Sequence, residues 1–344
     1  MLNRFLIVRT DRMGDVLLTL PMARIIKKHH PYAHICMMIQ QYTSEIVRSD
    51  KNVDEILIYD ENGKMAPFFQ LIEKIRRGNY NVVFHTNPRF LIALITWLAG
   101  IPIRVGTGYR WYSFLFTKKV YEHRKDAKHH ELEYNVHLVR SIDFDIEGID
   151  ISPKIEIHPE CEEKIENYLN KLNVGANKKI IIIHPGSGKS ARDWSPKNFG
   201  LLAKKISMIE NFQVIITGSP AEKPLVDFVH SLAGDKVITS TEGFSFGEFS
   251  ALIKRSSLFI SNSTGPIHIA AALGTMVIGL YPHILPLSEK RWGPWTDKKI
   301  IFSPQNKPLN CKKCIKPKNQ ICECMDSINV DSVFDAIMNL SILK

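Results

Sequence analysis

Four stretches of this 344-residue chain combine residue types and spacing that suit chemistry on a phosphorylated or hydroxyl-rich substrate. The first is Thr10-Asp11-Arg12-Met13-Gly14-Asp15, where Gly14 lets the backbone turn tightly and Asp15 stands at the first turn of an apolar-periodic stretch. A carboxylate there reads first as an N-cap, worth about 1 kcal/mol, and second as a group facing a ligand at the strand end. The second is His184-Pro185-Gly186-Ser187-Gly188-Lys189-Ser190-Ala191-Arg192-Asp193-Trp194. Its Gly188-Lys189-Ser190 imitates the end of a Walker A motif, but Ile183 occupies the place of that motif's first glycine, so the match fails. What stays is a glycine-rich cationic loop suited to a phosphate or diphosphate, against the plainer reading of a solvated turn.

The third stretch, Ser261-Asn262-Ser263-Thr264-Gly265-Pro266-Ile267-His268, runs straight into Ala270-Ala271-Ala272. A small hydroxylated turn feeding a helix gathers unbonded N–H groups and the positive end of a dipole at one point, which attracts an anion. His268 can donate to a phosphate oxygen there, or pack as a structural side chain. In the fourth, Thr217-Gly218-Ser219-Pro220-Ala221-Glu222, the Glu222 carboxylate can accept hydrogen bonds from ribose or sugar hydroxyls, or simply start a helix. Cys311, Cys314, Cys322 and Cys324 form a CxxC and a CxC within 14 residues, a spacing that suits a structural zinc with four thiolates or a loop of free thiols. Asp143-Phe144-Asp145 imitates a metal-holding Asp-x-Asp, but it lies near the connection between the two halves and apart from the other stretches.

The elements that must position these residues are legible as alternating runs. Phe5–Val8, His34–Ile39, Glu55–Tyr59 and Asn81–His85 read as strands, with helices over Val16–Ile26 and Pro67–Arg77. After a mixed segment around residues 145–178, with one helix near Glu160–Leu172, the pattern restarts. Strands are expected at Lys179–His184, Phe212–Thr217, Leu258–Ser261 and Met276–Tyr281. Helices are expected at Asn198–Ile209, Glu222–Leu232 and Ile267–Leu273, with Ser195-Pro196 as N-cap and N1 of the first. Strands alternating with helices mean α/β architecture, two doubly wound parallel sheets, with ligands outside the carboxyl ends of the strands. All four stretches leave such ends. The reading gives lobes at 1–155 and 156–326 and a terminal helix within 327–344.

Composition narrows the function. With 45 Lys+Arg against 35 Asp+Glu the chain carries +10, and 44% hydrophobic with 23% charged residues is the balance of a folded protein with a buried core. The excess of cations leaves nucleic acid, anionic membrane and phosphorylated metabolites as partners, but no aromatic-interleaved basic module supports nucleic acid. The longest apolar run, Phe90–Ile101, is about a dozen residues where a membrane span needs roughly 20. Asp11, Arg12 and Asp15 interrupt the opening apolar stretches, so no export signal is read. Six cysteines are too few for a disulfide scaffold, which places the chain in the reducing cytoplasm.

Three blocks, "FLIVRTDRMGDVLLTLP", "IIIIHPGSGKSARDWSPKNF" and "FISNSTGPIHIAAALGTMVIGLYP", resemble in order and spacing the signature blocks of glycosyltransferase family 9, the ADP-heptose:lipopolysaccharide heptosyltransferases. "VGTGYRWYSFLFTKKV" and "HHELEYNVHLV" extend the resemblance over essentially the whole chain. It implies a GT-B fold, two Rossmann-like lobes facing a cleft, acceptor on the first and nucleotide-sugar donor on the second. It implies inverting transfer with no metal required and Asp15 as the catalytic carboxylate. Ser187, Gly188 and Arg192 take donor-phosphate positions, beside Lys189 of the same loop. Glu222 takes the ribose-binding position, Phe244 lines the adenine, and Thr264, Gly265 and His268 form the diphosphate turn. Ser263 departs from the pattern, standing where several relatives carry Asp, which leaves the donor sugar open. The implied partners are a nucleotide-diphosphate sugar and a lipid-linked glycan acceptor at the inner membrane face, with the basic run Lys118 to His130 as an attractor for that acceptor. A nucleotide-sugar epimerase and a non-catalytic sugar-nucleotide binder are the alternative readings, and only the epimerase would turn over nucleotide sugar alone.

Overall fold

Near-continuous apolar strands bury both faces only when helices cover both sides of a parallel sheet, and the chain builds two such sheets. The computed structural model describes residues 2–61, 63–188, 192–305 and 324–343. It divides into two compact units, Met1–Arg124 with His129–Glu156, and Lys125–Lys128 with Ile157–Lys344. In the first, β1 (Arg4–Val8), β2 (His34–Ile39), β3 (Glu55–Ile58), β6 (Val82–His85), β7 (Ile103–Thr107) and β8 (Lys118–Val120) lie in the order β3-β2-β1-β6-β7-β8. Every pairing in this sheet is parallel, with Phe5 opposite both Ile35 and Val82. A small antiparallel pair, β4 (Asp60–Glu61) and β5 (Lys64–Met65), stands apart. Phe5 to Val8 are wholly buried, and Leu6 and Val8 pack with Met38, Leu71, Ile75 and Val83.

The periodic stretch read as one helix over Val16–Ile26 is two, Met13–Leu17 and Pro21–His29. Pro21 has no N–H to give to the preceding turn, and the chain bridges the gap with three-residue bonds, Thr19 N–H to Val16, Met22 N–H to Thr19 and Ala23 N–H to Leu20.

The second unit repeats the plan: β9 (Lys179–His184), β10 (Phe212–Thr217), β11 (Ile238–Ser240), β12 (Leu258–Asn262), β13 (Met276–Leu280) and β14 (Lys299–Phe302), ordered β11-β10-β9-β12-β13-β14 and parallel throughout. The C-terminal helix Val330–Met338 packs on helix Pro196–Ser207, and its Val333 and Ile337 join Trp194, Phe199 and Ile216 in this unit's core. In each sheet the chain leaves the middle strand in both directions, at β1 between β2 and β6 and at β9 between β10 and β12. Such a switch point opens a crevice at the carboxyl ends, where ligands bind. No helix among the described residues is long and apolar enough to cross a membrane. The helix Phe90–Leu98 buries Ile92, Ala93 and Ile95 and exposes Leu91, Trp97 and Leu98.

Candidate active site

At the switch point of the first unit, β1 delivers Arg9 into an acidic setting. The Arg9 side chain is 3% exposed, and its Nε donates to Asp11 Oδ1 at 2.6 Å. Its Nη1 donates to Glu131 Oε1 at 3.2 Å and to Asn135 Oδ1 at 3.3 Å, and its Nη2 holds the Asp15 carboxylate. Burial alone would lower the guanidinium, but Asp11, Asp15 and Glu131 together raise it, so it stays charged. Glu131, 1% exposed, also pairs with Arg124. Asn135 donates to the Leu18 carbonyl at 3.1 Å, and Asn87, beyond β6, donates to Asp11 Oδ2 at 2.7 Å. Asp15 therefore does not cap its helix; Arg12 is the N-cap residue and makes no side-chain cap. The Asp15 carboxyl keeps 15% exposure, and burial pushes it up to about 6, with Asp11 and Glu131 adding to the rise and Arg9 opposing it. A carboxylate poised near neutrality is suited to take a proton at physiological pH.

At the second unit's switch point three strand ends converge. The loop after β9 is tied to the end of β12: the Trp194 N–H donates to Asn262 Oδ1 at 2.9 Å, and Asn262 Nδ2 donates to the Pro185 carbonyl at 2.9 Å. It meets the loop after β10 as well. A Cβ on Gly186 would stand 2.1 Å from Glu222 Oε1, so a larger residue there would push that carboxylate aside, while Gly188 takes the left-handed φ of +53°. Ser219 donates to Glu222 Oε2 from both its N–H and its hydroxyl at 2.9 Å. Burial would raise the Glu222 carboxyl, but these bonds, His184 and the Gly188 N–H hold it below the ordinary range. His184 shares a 3.0 Å hydrogen bond with Thr217 Oγ1, and burial lowers its imidazole. Ser187 donates to Asp193 Oδ2 at 2.8 Å; burial pushes that carboxyl up to about 6 against Ser187 and the neighbouring Arg192, with Glu222 adding to the rise.

Ser187, Gly188, Arg192, Glu222, Ser263, Thr264 and Gly265 thus all lie on the loops and first helical turns that follow adjacent strands β9, β10 and β12. Arg192, Ser263, Thr264 and His268 are buried. Thr264 is the N-cap residue of helix Gly265–Ala272, and its side chain makes no cap hydrogen bond. Phe244, on the loop after β11, stands edge-on to Tyr168 with ring centres 5.1 Å apart. Lys189 lies outside the described residues, as do Cys311, Cys314 and Cys322; Cys324 is buried. Asp143 and Asp145 lie on the loop after helix Glu131–Arg140, outside the hydrogen bonds of the Arg9 and Asp15 cluster.

The buried ion network of Arg9, Glu131 and Asn135, and the ionisable Asp193, are absent from the sequence reading. Their signal was a charge at the end of an apolar strand and a charge beside a buried tryptophan, places where an ionised side chain needs partners.

The model of glycosyltransferase family 9 (heptosyltransferase) matches residues 68–321. The chain belongs to glycosyltransferase family 9. The match takes in all three loops of the second switch point, while Asp15 precedes it. The chain is similar to lipopolysaccharide heptosyltransferase 3 of Escherichia coli K12, 26% identical over 301 residues, which are 84% of each chain. Among solved structures, a family 9 glycosyltransferase from Veillonella parvula superposes with a TM-score of 0.85 at 22% identity, covering 99% of this chain and 97% of that one. The E. coli ADP-heptose lipopolysaccharide heptosyltransferase II superposes at 0.77 and 18%, covering 99% and 98%. This glycosyltransferase therefore has the two-sheet GT-B architecture of those enzymes.

Proposed function

We propose that this family 9 glycosyltransferase moves a heptose or similar sugar from a nucleotide-diphosphate sugar, ADP-heptose first among them, to a hydroxyl of a lipopolysaccharide-core or related glycan. Transfer inverts the anomeric carbon and needs no metal in the chemical step. The first unit takes the acceptor and the second the donor. The observation that carries the reading is Asp15, a carboxyl locked by Arg9 and raised to about 6, which is the base an acceptor hydroxyl needs. The similarity to lipopolysaccharide heptosyltransferases supports the donor and the acceptor class.

In the reaction the acceptor oxygen bonds to the anomeric carbon as Asp15 takes its proton, and the bond to the diphosphate oxygen breaks. The departing nucleoside diphosphate gains negative charge. Arg192 and the N–H groups at Thr264–Gly265 stabilise that charge, with Lys189, Ser187, Gly188 and His268 as further donors. Glu222, held ionised, accepts ribose hydroxyls, and Phe244 lines the base. Ser263 lies beside the diphosphate turn without the acid that several relatives carry, so sugar selection rests on other groups.

A melting-temperature screen of the whole protein tests the donor. ADP-heptose raises the midpoint by several degrees more than UDP-, GDP- or TDP-linked sugars; an equal or larger rise with another nucleotide would replace the proposed donor. Turnover of nucleotide sugar without acceptor would turn the reading into an epimerase.

The acceptor is lipid-linked, and the first unit works against the inner membrane face. Trp111 and Phe114 are 72% and 69% exposed, near exposed Lys118 and Lys119 in the chain, a combination of interfacial aromatics and cations that suits an anionic bilayer surface. Sedimentation with phosphatidylglycerol vesicles is expected to carry down the protein, and the joint change Trp111→Ser with Phe114→Ser to reduce the bound fraction several-fold. No pelleting by the unaltered protein would remove the membrane arm and leave the transfer reaction standing.

A further inference from the structure

Outside both clusters, one group of side chains has the composition of a metal site. Glu122 follows the end of β8 by two residues, His129 precedes helix Glu131–Arg140, and His137 lies on that helix. Each offers one ligand atom, and the three atoms lie within 4.8 Å of one another. His137 Nδ1 is 2.8 Å from Glu122 Oε1. The His129 ring stands edge-on to His137, centres 5.0 Å apart, and edge-on to the buried Tyr134 at 5.5 Å. Tyr134 and His137 are three positions apart on the helix and so share a face, which fixes both imidazoles at one spot.

We propose that Glu122, His129 and His137 bind one zinc-like divalent cation that fastens the exit of β8 to helix Glu131–Arg140. Ligand atoms around tetrahedral zinc at about 2.1 Å stand roughly 3.4 Å apart, so the triad needs only a small rotation of exposed His129 to close. The remaining position is left to water. The donor set selects the ion. A hard cation such as magnesium or calcium wants several oxygens, of which the triad offers one side chain's. Two imidazoles and one carboxylate suit zinc, cobalt or nickel. The same helix supplies Glu131 and Asn135 to Arg9, so the ion braces the support of Asp15 without touching substrate.

The test uses the full chain and separates binding at the triad from any binding at the cysteines by ligand chemistry. Cobalt(II) bound at the triad gives only the weak visible bands of nitrogen and oxygen ligands, whereas thiolate-bound cobalt adds intense charge-transfer absorption. The expected result is one equivalent of the weak-band species, lost in His129→Ala and in Glu122→Gln, with zinc affinity at that site falling at least about tenfold. Any thiolate signal stays unchanged in both variants. Both side chains reach solvent, so neither change opens the core. Thiolate bands alone in the unaltered protein, or a weak-band species that persists at full affinity in both variants, would overturn the site.

Discussion

Replacing Asp15 by Asn is expected to cut the rate of sugar transfer by about 10² to 10⁴, the usual contribution of a positioned general base, while donor affinity stays within about twofold. The amide keeps the volume of the carboxylate but cannot accept the hydroxyl proton. The chain should remain folded, because Arg9 keeps Asp11 and Glu131. Linkage makes this sharper. The Asp15 carboxyl is raised to about 6 in the folded chain, so the fold holds this proton more tightly than the unfolded chain does. The group therefore adds to stability as pH falls through about 6 toward the ordinary carboxylate range, and that gain is lost as pH rises. At pH 7 the Asn variant should melt no lower than the unaltered protein. Activity has the opposite slope, since only the ionised base works: transfer in the unaltered enzyme should fall as pH drops through about 6. Initial rates across pH 5 to 8, with calorimetric midpoints for both proteins, check the two slopes together. Near-normal turnover in the Asn variant would remove Asp15 as base and leave it a partner of Arg9.

Much of this architecture is written in local pattern. The runs Phe5–Val8, His34–Ile39, Lys179–His184 and Phe212–Thr217 are apolar because helices cover both sheet faces, and such runs are visible without any tertiary information. Gly186, Gly188 and the turn into Gly265 are visible for the same reason, since tight backbone geometry demands particular residues. The strands left unread are those whose composition is mixed. β7 carries Arg104 and Gly106, β8 begins Lys118-Lys119, and β11 and β14 are three and four residues long; each is a strand because of its place beside a neighbour. The Arg9 cluster was unreadable for a further reason. Glu131 opens a helix and looks like an ordinary first-turn acid, and only the fold brings it 3.2 Å from a guanidinium 122 positions earlier. Asp193 acquires its raised carboxyl in the same way, from burial with Trp194 and the approach of Glu222 from another strand end.

Replacing Arg9 by Met should destabilise the protein by about 3–5 kcal/mol, the range seen when one partner of a buried ion pair is removed. The methionine fills the stem of the side chain but leaves Asp11 and Asp15 without the guanidinium between them, and Glu131 with Arg124. The carboxylates then repel one another in a poorly solvated space. Because Arg9 is the group that lowers the Asp15 carboxyl, its loss drives that carboxyl further above 6. Whatever variant protein remains folded should therefore show its activity midpoint displaced to higher pH, with the largest loss of rate below neutrality. Arg9→Lys separates charge from geometry. A lysine restores one positive charge, but its single ammonium cannot reach Asp11, Asp15, Glu131 and Asn135 from three separate nitrogens as Arg9 does. It should recover part of the stability and little of the pH displacement. Urea midpoints and pH–rate profiles of the two variants give the comparison. A methionine variant as stable as the parent, with an unmoved pH midpoint, would mean that the guanidinium neither holds the carboxylates together nor sets the basicity of Asp15.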